Sequence, residues 1–535
     1  MSKKIIHILM TIFAGVTMML TAQSCLENDM PYPTIKLFIT DMKADGQIGS
    51  AIISNENRTV TISLSDTVNM KKVRVTDLSI TDGAKSTLDA NTSIDLSDPY
   101  EVTLSLYQDY KWTIVGKQEI ERRFSVKGQV GSAEFNEKEK IAIVSVSENT
   151  NLRKLELTDL KLGPTGSTIN MSSTLPVVEW AVRGNFAEST VLVNFRDFIV
   201  MEKWTLYVFQ VESNVTSKRA DAWVNVAWLY GDGIDGEDNG FEMREASATE
   251  WEKVNESYVT HDGGSFSARV PHLKAGTSYV FRAYSGSDKG EEITFTTGLP
   301  VELPNGSFDE WHKSGKVWNP WAENGTQIWD SGNDGTTTLG ESNTQPTSDV
   351  RPGAAAGSQA AMLESKFVGI GTIGKFAAGN IFIGEFKKVD GTNGILDFGK
   401  PFTARPTKLK GYYKYTTAAV NYASTELAAM KGQPDTCSIY IALGDWSEPV
   451  EIRTRPSNAK YFDKNDEHLI AYAEFNSGKS VSEYTPFELE LEYRSTERVP
   501  TYIIVVSSAS KYGDYFTGGA GAVLYVDDFS LEYDY

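Results

Sequence analysis

Four of the eleven tryptophans fall within one short stretch: Trp311, Trp318, Trp321 and Trp329. The residues between them are polar or turn-forming, with Gly315, Asn319-Pro320 and Asn324-Gly325 prominent. Indole rings on loops suit carbohydrate recognition. The axial C–H face of a pyranose stacks on the ring, and flanking Asn, Asp and Glu bond the hydroxyls. Rigid aromatic side chains also lose little entropy on binding. The expected stacking residues are Trp318, Trp321, Trp329 and Tyr412, the last within Gly411-Tyr-Tyr-Lys-Tyr415. Trp311 sits in a strand-like motif. The competing reading is that all four indoles plug the end of a large sandwich.

Hydrolytic chemistry finds less support. Glycosidic cleavage needs two carboxyl groups about 5–10 Å apart. Asp309, Glu310, Glu323, Asp330, Asp445 and Glu448 are available, but no spacing singles out a pair. No Gly-x-Ser-x-Gly elbow occurs, and His312 and His468 are the only histidines after residue 300. Cys437 has no histidine near it in sequence and reads as a buried, inert thiol. No Cys/His spacing of a metal site is present, and no catalytic residue is assigned.

These groups must be positioned by β-structure. Strand-like alternation of apolar and polar residues recurs, as in Thr59-Val-Thr-Ile-Ser-Leu64, Tyr279-Val-Phe-Arg-Ala-Tyr284 and Tyr502-Ile-Ile-Val-Val506. The best short helix candidate is Ser424 to Lys431, with Ser424 or Thr425 as its cap. An internal repeat is clear. Gly46-Gln-Ile-Gly-Ser-Ala51 returns as Gly128-Gln-Val-Gly-Ser-Ala133, and the register holds without gaps to Thr76-Asp-Leu78 against Thr158-Asp-Leu160. Lys111-Trp-Thr113 matches Lys203-Trp-Thr205 further on, so Trp112 and Trp204 are expected to be equivalent core residues. A period of this length suits a small β-sandwich rather than a solenoid.

The N-terminus carries an address. Lys3 and Lys4 precede an apolar run from Ile5 to Leu20, shorter than the roughly 20 residues that span a bilayer. Ala22-Gln-Ser-Cys25 resembles a bacterial lipobox, which implies cleavage before Cys25, lipidation of Cys25 and attachment to the outer membrane. Leu26-Glu-Asn-Asp29 resembles the surface-export signal of Bacteroidetes lipoproteins. The other reading is an ordinary secretory signal with Cys25 incidental. With Cys25 lipidated, Cys437 has no partner and no intrachain disulfide forms. The formal net charge of −20 repels phosphate backbones, so nucleic acid is not an expected partner.

Further resemblances complete the plan. Residues 215–299, with Leu273, Tyr279 and Ile293-Thr-Phe-Thr-Thr297, resemble a fibronectin type III domain in which Leu273 and Tyr279 are structural. The acidic loop Gly231 to Asp238 lacks the ending of an EF-hand and reads as a solvated loop. Asn305-Gly-Ser-Phe-Asp-Glu-Trp311 and Val526-Asp-Asp-Phe-Ser-Leu531 resemble the first and last strands of galactose-binding-like jelly rolls. With Trp329-Asp-Ser-Gly-Asn333, Ala378-Gly-Asn-Ile-Phe-Ile-Gly384 and Phe398-Gly-Lys-Pro-Phe402, they resemble the putative carbohydrate metabolism domain of Bacteroidetes lipoproteins. That resemblance implies glycan binding. Jelly-roll binding modules of this kind also imply a structural calcium held by Asp309, Asp527, Asp528 and the backbone near Asn305.

The expectation is therefore an all-β chain of tandem Ig-like sandwiches followed by a C-terminal jelly roll. Its segments are a signal peptide (1–24), a linker (25–33), Ig-like sandwiches (34–127 and 128–214), a fibronectin-like domain (215–299) and the jelly roll (300–535). The expected partners are a polysaccharide or oligosaccharide, the outer membrane through the lipid, and other glycan-uptake proteins. The alternatives are a glycoside hydrolase or lyase head, and an adhesin or structural surface protein. Jelly rolls host binders and enzymes alike.

Overall fold

The computed structural model describes residues 37–535 except 56, 107, 196–199 and 371–372. Cys25, the export signal and the linker lie outside the described residues. The chain is all-β, as expected. Among the described residues the one α-helical turn is Asn333–Thr336. No helix among them is long and apolar enough to cross a membrane.

The repeat has a physical basis visible in its first residues. Gly46 and Gly49 adopt φ of +74° and +70°, and their counterparts Gly128 and Gly131 adopt +73° and +71°. Side chains beyond glycine rarely tolerate that region. The intervening glutamine bridges the turn. Gln47 accepts from the Ala44 N–H and donates to the Gly49 carbonyl, while Gln129 does the same for Val126 and Gly131. Asn69 and Asn151 each cap a short 3₁₀ turn, Met70–Lys72 and Leu152–Lys154. In both copies a strand runs parallel to a later one: Thr59–Leu64 beside Asp109–Gln118, and Ile141–Ser147 beside Val200–Val211. Trp112 and Trp204 are fully buried, each in the core of its own copy.

Residues from 215 onward form a four-stranded and a five-stranded sheet around Leu229, Phe241, Phe281 and Phe295. Leu273 and Tyr279 are buried there, and the Tyr279 hydroxyl accepts the Lys274 N–H. This sandwich abuts the C-terminal one. The Trp223 indole donates to the Thr496 carbonyl at 2.9 Å, and its ring packs on Tyr493 and Tyr535. Buried Arg405 donates to the carbonyls of Ala222, Glu497 and Arg498.

The C-terminal unit packs a five-stranded sheet against a nine-stranded one. The five-stranded sheet runs Thr344–Thr347, Ala360–Glu364, Val523–Glu532, Lys408–Thr416, Val481–Glu490. The core between the sheets includes Phe308, Trp329, Ile381, Tyr415, Ile441, Val505 and Phe529. A second core lies on the far face of the larger sheet, with Phe382, Phe398, Trp446, Ile452, Leu469 and Ile504. This corrects the reading of Tyr502-Ile-Ile-Val-Val506, within the strand Tyr502–Ser508, as alternating. It is buried on both faces, so its apolar run is continuous. The segment Ser424 to Lys431 is also not a helix. It holds one 3₁₀ turn, Ala428–Met430, without a side-chain cap. So short a segment cannot repay helix nucleation, and Gly432 at φ +82° turns the chain away.

Candidate functional site

The predicted stacking residues do not converge. Trp329 is fully buried in the inter-sheet core, its indole donating to the Pro304 carbonyl at 2.8 Å and its ring edge-on to Phe308 at 5.0 Å. It is a core residue, not a sugar contact. Trp318 and Trp321 are half-buried, Trp318 in the second strand of the hairpin His312–Ser314/Val317–Asn319 and Trp321 just beyond it. The Lys313 ammonium lies 5.2 Å from the Trp318 ring, and His312 meets Trp321 edge-on. Tyr412 is half-buried on the outer face of the five-stranded sheet, beneath the Arg351 guanidinium.

The carboxylates expected to hold calcium have partners within the chain. Arg351 pairs with Asp528 at 2.7 Å, and its backbone N–H donates to Asp527. Asp309 accepts from the Gln359 N–H. All three carboxylates are already engaged by groups of the chain. Among the described residues no cluster of three or more His, Cys, Asp or Glu is arranged to hold a metal.

Of the carboxylates considered for hydrolysis, Asp445 is held by Arg498 at 2.5 Å and by His468, which keeps it below the usual carboxylate range. Asp330 is buried and accepts from Gln327, Ser331 and Phe386. Burial pushes its carboxyl up to about 6. Cys437 is fully buried and unpaired, its thiol pushed up to about 12 by desolvation.

A different site emerges in the C-terminal unit. A cavity of about 150 Å³ opens between the turn at residues 332–339, the hairpin Lys366–Ile370/Ile373–Ala377, the hairpin Asn380–Asp390/Asn393–Phe398 and the loop 513–516. A cavity of about that size accommodates one six-membered ring. Phe376, Phe386, Leu396 and Phe516 give it apolar walls, and Lys375, Asn393, Thr454 and Asp514 add polar groups. Apolar walls with a few convergent polar groups mark small-ligand sites.

The sequence folds locally to present these groups. Gly513–Tyr515 is a 3₁₀ turn that ends on Phe516 in the left-handed region, φ +51°. The turn is anchored from beneath by buried Asp435. That carboxylate accepts from Ser510 Oγ at 2.5 Å, the Gly519 N–H at 2.7 Å and the Thr436 N–H at 2.8 Å. Ser510 Oγ is also bonded to Ser365 Oγ at 2.6 Å, which ties the loop to the neighbouring strand end. Around the loop stands an aromatic group. Tyr515 stacks on Tyr461 at 4.1 Å, Tyr512 meets Tyr515 edge-on, and Tyr422 stacks on Phe367 and Phe376.

Burial in this loop pushes the Asp514 carboxyl up to about 6. Among the described residues no hydrogen-bond donor or cation compensates its carboxylate, unlike that of Asp330. Desolvation also raises Asp334, beside the cavity. For Asp514 the folded value lies above the ordinary 3.8, so the folded state holds the proton more tightly. Stability from this group is full below about pH 4 and is lost as pH rises through about 6. Asp514→Asn removes that penalty. We expect it to raise stability at pH 8 by on the order of 1–3 kcal/mol, with no gain at pH 4. Urea unfolding at the two pH values measures both.

No predicted residue lies in this lining. Tyr512-Gly-Asp-Tyr-Phe516, three aromatics and an acid beside a glycine, was the available signal.

Comparison with known proteins bears on this unit. Residues 307–532 match the family model described as "Putative carbohydrate metabolism domain". All the lining residues lie within that match. A crystal structure described as a "putative glycoside hydrolase" from Bacteroides thetaiotaomicron aligns over 94% of this chain and 98% of its own, at 17% identity and a TM-score of 0.30. Another so described, from Bacteroides vulgatus, aligns over 44% of this chain and 98% of its own, at 24% identity and a TM-score of 0.33. Similarity at this level transfers no activity. No match was found among curated proteins.

Proposed function

We propose that the chain is a cell-surface, lipid-anchored glycan-binding protein whose C-terminal unit holds one sugar ring in the cavity beside Phe516. The observation that carries this reading is the cavity itself. It is ring-sized, walled by phenylalanines, edged by Asp514 and Asn393, and set within the segment that matches a carbohydrate-related family. A pyranose offers an apolar C–H face to Phe516 and hydroxyl donors to Asp514. The sandwiches before residue 300 serve as a spacer, and Cys25 carries the lipid that holds the protein at the outer membrane. Capture for import, alongside other glycan-uptake proteins, is the role such a placement serves. Trp318, Trp321 and Tyr412 remain outlying contacts for a longer chain.

Native gels cast with soluble polysaccharides test the binding. Retardation of the chain by at least one polysaccharide is expected, and unchanged migration in all of them overturns the reading. Cys25→Ser tests the anchor, since the variant is expected in the soluble fraction of a Bacteroides host while the parent stays with the membranes.

A second reading rests on Asp514. A carboxyl near 6 in a pocket is the property of a general acid. Release of reducing ends that disappears in Asp514→Asn would establish it.

A further inference from the structure

Lys375 is half-buried on the cavity wall, and no carboxylate neutralises it. Its Nζ donates to Asn393 Oδ1 at 2.6 Å and lies 3.9 Å from the centre of the Phe516 ring. Among the described residues no carboxylate stands within ion-pair distance of this ammonium, although most lysines of the C-terminal unit have such a partner. The next cation, Arg455, is already paired with Asp390 at 3.1 Å and adds to the positive field rather than cancelling it. Desolvation and Arg455 both lower the Lys375 ammonium from its ordinary value. A partly buried charge without a counter-ion is costly unless a ligand supplies one.

We infer that the cavity selects an anionic sugar, with the carboxylate or sulfate of the bound ring paired to Lys375 Nζ, its apolar face on Phe516 and a hydroxyl donated to Asp514. This rests on the glycan reading above and names its ligand class. Asp514 and Lys375 line the same cavity without pairing. A neutral sugar satisfies only the Asp514 side. A uronate or a sulfated sugar satisfies both, because the ring carries its hydroxyls and its anion on different atoms. The selectivity is local. The chain as a whole is acidic, so long-range attraction cannot account for it.

The test is calorimetric titration of the full chain with trigalacturonate, alginate trimers and κ-carrageenan tetramers, against cellotetraose and mannotetraose as neutral probes. The two anionic arms separate carboxylate from sulfate recognition. We expect at least one anionic probe to bind, and Lys375→Met to weaken it about 10- to 100-fold, the loss of a hydrogen bond to a charged group. Asn393→Asp guards against misfolding. It places a carboxylate beside Nζ, keeps the local volume and is expected to abolish anion binding in a protein that remains folded. Neutral probes that bind as tightly as anionic ones, with Lys375→Met unchanged, overturn this inference and leave glycan binding standing. No binding of any anionic probe by the parent chain also overturns this inference, and the polysaccharide gels then decide whether glycan binding stands.

Discussion

Trp329→Ala is expected to destabilise the C-terminal unit by about 3–5 kcal/mol, the range for truncating a large buried aromatic. The indole is fully buried between the sheets, packed on Phe308 and Phe529, and its N–H satisfies the Pro304 carbonyl. Truncation loses the transfer free energy, leaves a cavity and strands a carbonyl near the start of the unit. Trp318→Ala, at a half-buried ring on a peripheral hairpin, is expected to cost about 1 kcal/mol or less. A chain of several units does not unfold in one step. Hydrogen exchange at the amides of Ile381 to Ile383 therefore gives the cleaner readout, because these residues border Trp329. Equal effects of the two substitutions would mean that Trp329 is not a core residue.

Asp435→Ala is expected to cost a similar amount, about 3–5 kcal/mol, by a different route. Removal leaves the Ser510 hydroxyl and the Gly519 and Thr436 N–H groups without their acceptor in a buried site, each worth about 1–3 kcal/mol unpaired. Local rearrangement recovers part of that sum. The consequence for function is larger than for the core substitution. The loop bearing Asp514 and Phe516 loses its anchor, so glycan affinity should fall at least tenfold even where the unit remains folded. Binding measured well below the unfolding transition checks this, with protease cleavage after Lys511 as a reporter of loop release. Unchanged affinity would remove the loop from the site.

The fold was legible where chemistry is local. The glycines and glutamine of the repeat are dictated by turns that require positive φ and a bridging amide, so the motif recurs with its geometry. Trp112 and Trp204 follow from the same register. The site was not legible, because its parts come from residues 332–339, 368, 374–396, 454 and 513–516, which meet only when the larger sheet, the hairpin Lys366–Ile370/Ile373–Ala377 and the loop 513–516 are assembled. Clustering in sequence misled in the opposite direction. Trp329 lies near Trp318 and Trp321 in the chain, yet its strand, Trp329–Asp330, pairs with Asn380–Asp390 and turns the ring inward. The acidic pair Asp527-Asp528 reads in sequence as oxygen ligands, and nothing nearby in the chain announces that folding brings both against Arg351, 176 residues from Asp527. Tyr502–Ser508 shows the same limit, since a second core on the far face of a sheet leaves no mark in one strand.

The central claim is that the cavity beside Phe516 receives the sugar. Its most direct test is a glycan array of plant, algal and host polysaccharides probed with the parent chain and with Phe516→Ala. The account predicts that the parent binds at least one class, and that Phe516→Ala binds none while melting at the same temperature. Identical array profiles for the two proteins would contradict it.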